Sequence, residues 1–233
     1  MLYTLRVWLP DRPGALGAVA SRIGAVRGDL VGIDILERGG GMAIDELVVE
    51  LPSAALVDLL VSEVSEVDGV EVEDIRPAGL SSVDPRLDAL ETAAALVGSR
   101  SVELVLSGLA ELAVRDFDCE WAGVVDPETG EVARSEGPVP PGVWLRAFLA
   151  GSRASSVPGD APAGPEDVAW ADLDAAGLVA VLGRRGRPFR AKERRQLTAL
   201  ARIADARWAE LACHSGRDAH PSGAQPQRQL RAR

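Results

Sequence analysis

Asp11-Arg12-Pro13-Gly14-Ala15-Leu16 sets a carboxylate, a guanidinium and a run of small residues at a point where the local pattern changes. Before it, Tyr3, Leu5, Val7 and Leu9 alternate with Thr4, Arg6 and Trp8, which predicts a strand with one buried face. After it, Leu16, Val19, Ala20, Ile23 and Val26 recur at helical spacing. A helix opening here has Asp11 as its expected cap, and Pro13 in its first turn, where a missing N–H needs no partner. The amides of Gly14, Ala15 and Leu16 then face outward at the positive end of a helix dipole. The chemistry this offers is anion binding: a carboxylate can rest on those amides, and Gly14 has no side chain to keep it away. An ordinary capped strand-to-helix turn shows the same residues.

Catalytic chemistry finds little to work with. His214 and His220 fall in or beside a polar C-terminal stretch, where neither is expected to be held as a base or a ligand. Cys119 and Cys213 lack neighbours at metal-ligand spacing and are too few for a disulfide framework; both read as plain thiols in a reducing compartment. Asp45-Glu46 and Glu71, Glu73 and Asp74 are expected on solvated strand faces, the usual place for acidic runs. No Walker loop, GxSxG elbow or HExxH is present. The expectation is a non-enzyme with no catalytic residues, no metal and no cofactor.

One basic cluster stands against this acidic background. Gly183-Arg184-Arg185-Gly186-Arg187-Pro188 contains an R-G-R-P that resembles an AT-hook core, and Arg190, Lys192, Arg194 and Arg195 follow it. Such a cluster can read phosphates. The formal charge of −10 over 233 residues argues against a general nucleic-acid binder, and a polar turn with Arg stems lying over the core is the favoured reading. Residues 1–77 hold 14 Asp and Glu against 6 Arg. The N-terminus shows no secretory pattern and no stretch is apolar enough to span a membrane, so the expected location is cytoplasmic.

The elements that must position the turn follow in order. Arg27-Gly28-Asp29 reads as the end of the first helix. Val31, Ile33 and Ile35 alternate with Gly32 and Asp34 in a second strand, and Gly39-Gly40-Gly41 is a turn. Leu47, Val49 and Leu51 mark a third strand, Leu56, Leu59, Leu60 and Val64 a second helix, and Val70, Val72 and Ile75 a fourth strand. The predicted order is βαββαβ, one sheet with both helices on one face. With the D-R-P-G-A-L turn and G-D-L at the second strand, residues 1–77 resemble an ACT domain, a ligand-sensing module most often for amino acids. The resemblance implies a ferredoxin-like fold and a ligand between the turn and the second strand, at Asp11, Gly14, Ala15, Leu16, Asp29, Leu30 and Val31, often at a dimer interface. Where family members often carry Asn, this chain has Asp29, and an extra carboxylate there favours an amino group.

Residues 78–85 read as a linker. A helix then places Leu87, Leu90, Ala94 and Val97 on one face, and a second follows from Ser101 to about Arg115. Two hairpins, a Gly/Pro/Ser-rich loop at 151–167 and a long helix from about Ala191 to Ala212 complete residues 86–213. Their order, and the entry to the last helix through Arg187-Pro188-Phe189, resemble a trimmed GAF domain, a class of small-molecule sensor and dimerisation module. Residues 214–233 are expected to be a disordered tail. The predicted whole is a two-domain α+β regulator that binds an amino acid or related small molecule and has no membrane partner. The alternatives are a DNA-associated regulator using Arg184–Arg195 and a dimerisation scaffold without ligand; an unidentified protein is a further candidate partner. Open sheet edges, with Trp8 adding exposed apolar area, predict a homodimer.

Overall fold

The computed structural model describes residues 1–79, 85–155 and 165–218. The chain is α+β, built on two antiparallel four-stranded sheets. The first half runs β1 (Leu2–Pro10), α1 (Ala15–Ala25), β2 (Asp29–Gly39), β3 (Met42–Glu50), α2 (Val57–Ser65) and β4 (Glu71–Pro77), in the sheet order β2-β3-β1-β4. Leu5, Val7 and Leu9 of β1 join Leu47 and Val49 of β3, Val19 and Ile23 of α1 and Leu60 and Val64 of α2 in one core. The strand alternation and the helix stripes therefore meet on the same face, as their periods require.

The second half runs α3 (Pro85–Gly98), α4 (Val102–Asp116), β5 (Trp121–Val125), β6 (Val132–Glu136), α5 (Gly142–Ser155), β7 (Val168–Leu173), β8 (Leu178–Gly183) and α6 (Ala191–Asp218), with the sheet order β6-β5-β8-β7. One face packs on α4 and α6 through Leu109, Ala122, Leu182, Leu197 and Ala201. The other buries Trp121, Val125 and Val181 against Leu145 and Leu149 of α5. At the β5–β6 hairpin the Asp126 carboxylate accepts from the N–H groups of Glu128 and Thr129 at 2.8 and 3.0 Å, which tightens the turn. Most of the expected linker (80–84), part of the expected loop (156–164) and most of the expected tail (219–233) lie outside the described residues. The last helix passes Ala212 and continues to Asp218.

Three expectations are corrected here. The α3 stripe of Leu87, Leu90 and Val97 looks outward, because α3 packs on its neighbours through the adjacent stripe of Thr92 and Leu96. Trp8 does not offer an open apolar surface. It donates from Nε1 to Glu73 at 2.7 Å, and the Arg190 guanidinium lies 5.0 Å from its ring centroid. The carboxylates Asp45, Glu46 and Glu73 are not on a solvated face, since the second half of the chain covers that side of the first sheet and Asp45 lies in the helix-facing core layer.

Candidate functional site

The turn after β1 delivers its amides but not its expected cap. Gly14, at φ +90°, is the residue before α1, and no side chain bonds to the helix start. Asp11 falls short because the chain turns twice before the helix: Arg12 N–H donates to Pro10 O at 2.8 Å, and Ala15 N–H to Arg12 O at 3.3 Å. The Asp11 N–H instead donates to Gly41 O at 2.9 Å, and its carboxylate lies 4.0 Å from Arg38. The helical ladder begins with Ala18 N–H on Gly14 O at 3.0 Å, so the amides of Leu16 and Gly17 precede it and have no acceptor within the helix. An open depression here is lined by Arg12, Gly14, Ala15, Ser21, Arg22 and Asp68. Positive φ at Gly14 is the reason for glycine at that position.

The other predicted residues stand elsewhere in the chain. Asp29 pairs with Glu50 and Leu30 with Val49, at the end of the sheet where β1 begins, whereas the turn lies where β1 finishes beside Met42. The 11 residues of α1 separate the two ends by about 16 Å. One chain therefore brings Asp11, Gly14, Ala15 and Leu16 together and leaves Asp29, Leu30 and Val31 apart. On β2, an edge strand, Val31, Ile33 and Ile35 are 40 %, 50 % and 38 % exposed.

Asp45, expected from its sequence pattern on a solvated face, belongs to the turn end of the sheet. It pairs with Val7 of β1 and Ile35 of β2, is 3 % exposed, and its Oδ1 has no hydrogen-bond partner. Burial pushes its carboxyl above the ordinary range; Arg38 opposes this, and Asp11 and Asp34 add to it. A buried polar group without a partner costs about 1–3 kcal/mol, and more when charged.

The opposite face of the same sheet is joined to the second half by a charged seam. Arg6, 1 % exposed, donates to Glu46 at 2.7 and 3.1 Å and to Pro188 O at 3.0 Å, and lies 3.5 Å from Glu193. Arg184 donates to the same Glu193 at 2.7 Å and to the carbonyls of Phe117, Arg187 and Pro188. Arg76 meets Asp118 at 2.7 Å, Arg190 meets Glu73 at 2.5 Å, and Lys192 pairs with Asp34. The basic cluster is thus largely taken up by this seam: Arg184, Arg187, Arg190, Lys192 and Arg194 all bond carboxylates or carbonyls of the protein. A cavity of ≈ 120 Å³ lies along the seam, lined among others by Asp34, Glu46, Arg76, Arg115, Asp118 and Glu193.

The seam is expected to weaken in acid. Burial opposes the charge of Glu46, but Arg76 and Arg6 outweigh it and hold the carboxyl below its ordinary range. Asp118 is lowered likewise, by Arg187 and Arg76 against burial. A carboxyl lowered on folding adds stability that is present above its unfolded pKa and lost as pH falls through the folded value. The melting temperature is therefore expected to drop steeply below about pH 4. Glu46→Gln should lower it at pH 7 and flatten its fall in acid, as a thermal melt across pH would show.

No group of three or more His, Cys, Asp or Glu suited to a metal ion occurs among the described residues. Cys119 is buried, and burial pushes its thiol up to about 12, which leaves it protonated and inert. Among the described residues no helix is long and apolar enough to cross a membrane. No protein-family model matches the chain, and neither does any curated protein. A crystal structure of an unknown protein from Galdieria sulphuraria is similar at 17 % identity, covering 88 % of this chain and 92 % of that one with a TM-score of 0.30.

Proposed function

We propose that the chain is a non-catalytic regulator that binds a small carboxylate ligand, an amino acid, at the turn before α1, as the resemblance of residues 1–77 to ACT domains implies. The observation that carries this reading is the α1 N-terminus, which has no side-chain cap and leaves the amides of Leu16 and Gly17 without an acceptor in the helix. The regulator acts as a homodimer. Antiparallel pairing of β2 with β2 of a second copy covers the exposed Val31, Ile33 and Ile35 and closes an open sheet edge. Such pairing also brings the start of one copy's β2 beside the turn end of the other, uniting Asp29, Leu30 and Val31 with Asp11, Gly14, Ala15 and Leu16. The second half, resembling a GAF domain, is the part to which ligand state is passed. DNA association through Arg184–Arg195 has less support, because most of those cations are engaged within the chain.

A thermal-shift screen of the full chain across the twenty amino acids tests this reading. One or a few are expected to raise the melting temperature in proportion to the logarithm of their concentration. Gly17 is exposed, and a Cβ there meets nothing within 4 Å. Gly17→Glu should therefore fold normally, its carboxylate favourable to the helix dipole by about 0.3–1 kcal/mol. The same carboxylate should repel the ligand and abolish the shift. Light scattering at micromolar concentration should give twice the mass of one chain, and Ile33→Glu should return it to one. A screen with no amino-acid shift rejects the sensor reading, and a monomer mass for the parent chain rejects the dimer.

A further inference from the structure

We infer that the far end of α1 carries a second ligand site, for a monocarboxylate with a short apolar tail, in which Arg27 holds the carboxylate. A depression of ≈ 420 Å³ lies between the end of α1 and the start of α2, lined among others by Val26, Arg27, Pro52, Ser53, Leu56 and Leu59. That volume falls within the range of small-molecule pockets, roughly 300–1,000 Å³. The lining side chains are apolar apart from one guanidinium and the Ser53 hydroxyl, which already accepts from the Ala55 N–H at 3.3 Å. Leu59 is exposed, so the apolar wall is open to a ligand. The 11 residues of α1 set this end about 16 Å from the turn before the helix. No residue of β2, the proposed dimer edge, lines the depression.

Charge, backbone and place each single out Arg27. Residues 1–77 hold 14 Asp and Glu against 6 Arg, and Arg6, Arg12, Arg22, Arg38 and Arg76 each meet a carboxylate. Arg27 meets none among the described residues, in the half of the chain where acids are most plentiful. Its backbone is left-handed, at φ +62°, where a helix end usually has glycine. Arg27 N–H donates to Gly24 O at 3.0 Å and Gly28 N–H to Ile23 O at 2.9 Å, so the helix closes properly with its glycine one position late. Those bonds also occupy two carbonyls at the negative end of the α1 dipole, which would otherwise oppose an anion. The same cation shares one depression with the exposed Leu59 and with the single turn Ala54–Leu56 that leads into α2. An acid with a short hydrocarbon tail answers both needs, its carboxylate on the guanidinium and its tail against Pro52, Leu56 and Leu59.

Titration calorimetry of the full chain with hexanoate, phenylacetate, acetate and hexanamide tests this. Hexanoate or phenylacetate should bind saturably, about tenfold tighter than acetate, which lacks the tail, or hexanamide, which lacks the charge. Arg27→Gln should weaken hexanoate binding about tenfold. Leu59→Ser, at an exposed position, should bring hexanoate closer to acetate. Gly17→Glu, which closes the turn before α1, should bind hexanoate as the parent chain does. Arg27→Gly should bind it no better than Arg27→Gln, and should melt higher than the parent chain without ligand, because glycine takes the left-handed backbone freely. Failure of both hexanoate and phenylacetate to bind overturns the inference, and so does equal affinity for hexanoate and hexanamide. Undiminished binding by Arg27→Gln overturns it too, and if Gly17→Glu then loses the acid, the turn is what holds it. A lower melting temperature for Arg27→Gly would show the arginine serving the fold, which also overturns the assignment.

Discussion

Replacement of Arg6 by Met is expected to cost the fold about 3 kcal/mol, the lower end of what breaking a buried ion pair costs. The guanidinium is almost wholly out of water and serves both halves of the chain, with Glu46 on its own sheet and Glu193 and Pro188 O across the seam. The loss stays near the lower end because each acid keeps a second partner: Arg76 lies 3.3 Å from Glu46, and Arg184 lies 2.7 Å from Glu193. A urea titration should show a lower midpoint. If the seam alone joins the halves in one cooperative unit, the single transition should split in two. Arg6→Met combined with Glu46→Gln should recover part of the loss, because the charge stranded by the first change is then gone. A midpoint within experimental error of the parent chain would mean that the seam contributes nothing.

Gly183→Ala is expected to be about as damaging, through a different cause. Gly183 closes β8 opposite Trp121 of β5, and a Cβ on it would lie 2.2 Å from the indole Cε2 and Cζ2. The ring is packed in the core with Val125, Leu145 and Val181, so it has little room to retreat. Overpacking of a well-filled core costs about 1–3 kcal/mol, and the rigid ring places this change at the upper end. The melting temperature should fall by roughly 10 °C. Trp121→Leu in the same chain should cost less than it does alone, since the two changes share one space. Additive losses would show that the ring does not need the glycine.

How much of this was legible in the sequence varied with the range of the cause. The strands and helices of the first half follow from period-2 and helical patterns, because local geometry decides which face a side chain takes. Asp11, Gly14, Ala15 and Leu16 were placed at one turn for the same reason. What covers a face was not legible. Arg6, Trp8, Glu46 and Glu73 alternate with the core residues as solvated side chains would, and nothing within 40 residues of Arg6 announces Pro188 and Glu193. The partners of the AT-hook-like run were not legible either: Arg187 meets Asp118, 69 residues earlier, and Arg184 meets Glu193 on the helix that follows. Gly183 reads as a strand end, and only the fold supplies the indole opposite it. Asp45 shows the limit most clearly: an aspartate in a strand looks like surface, and its position between Val7 and Ile35 depends on the register of three strands.

The charged seam also bears on how such a chain can be inherited. On the face of the first sheet that meets the second half, Asp34, Glu37, Glu46, Glu73 and Asp74 outnumber Arg6 and Arg76, and two further cations, Arg190 and Lys192, come from the second half. Without the second half, that face of the first sheet would carry more acids than bases. The two halves are thus poor material for domain shuffling. Each retains the other by leaving its own electrostatics unfinished, and a lineage that keeps one has reason to keep both.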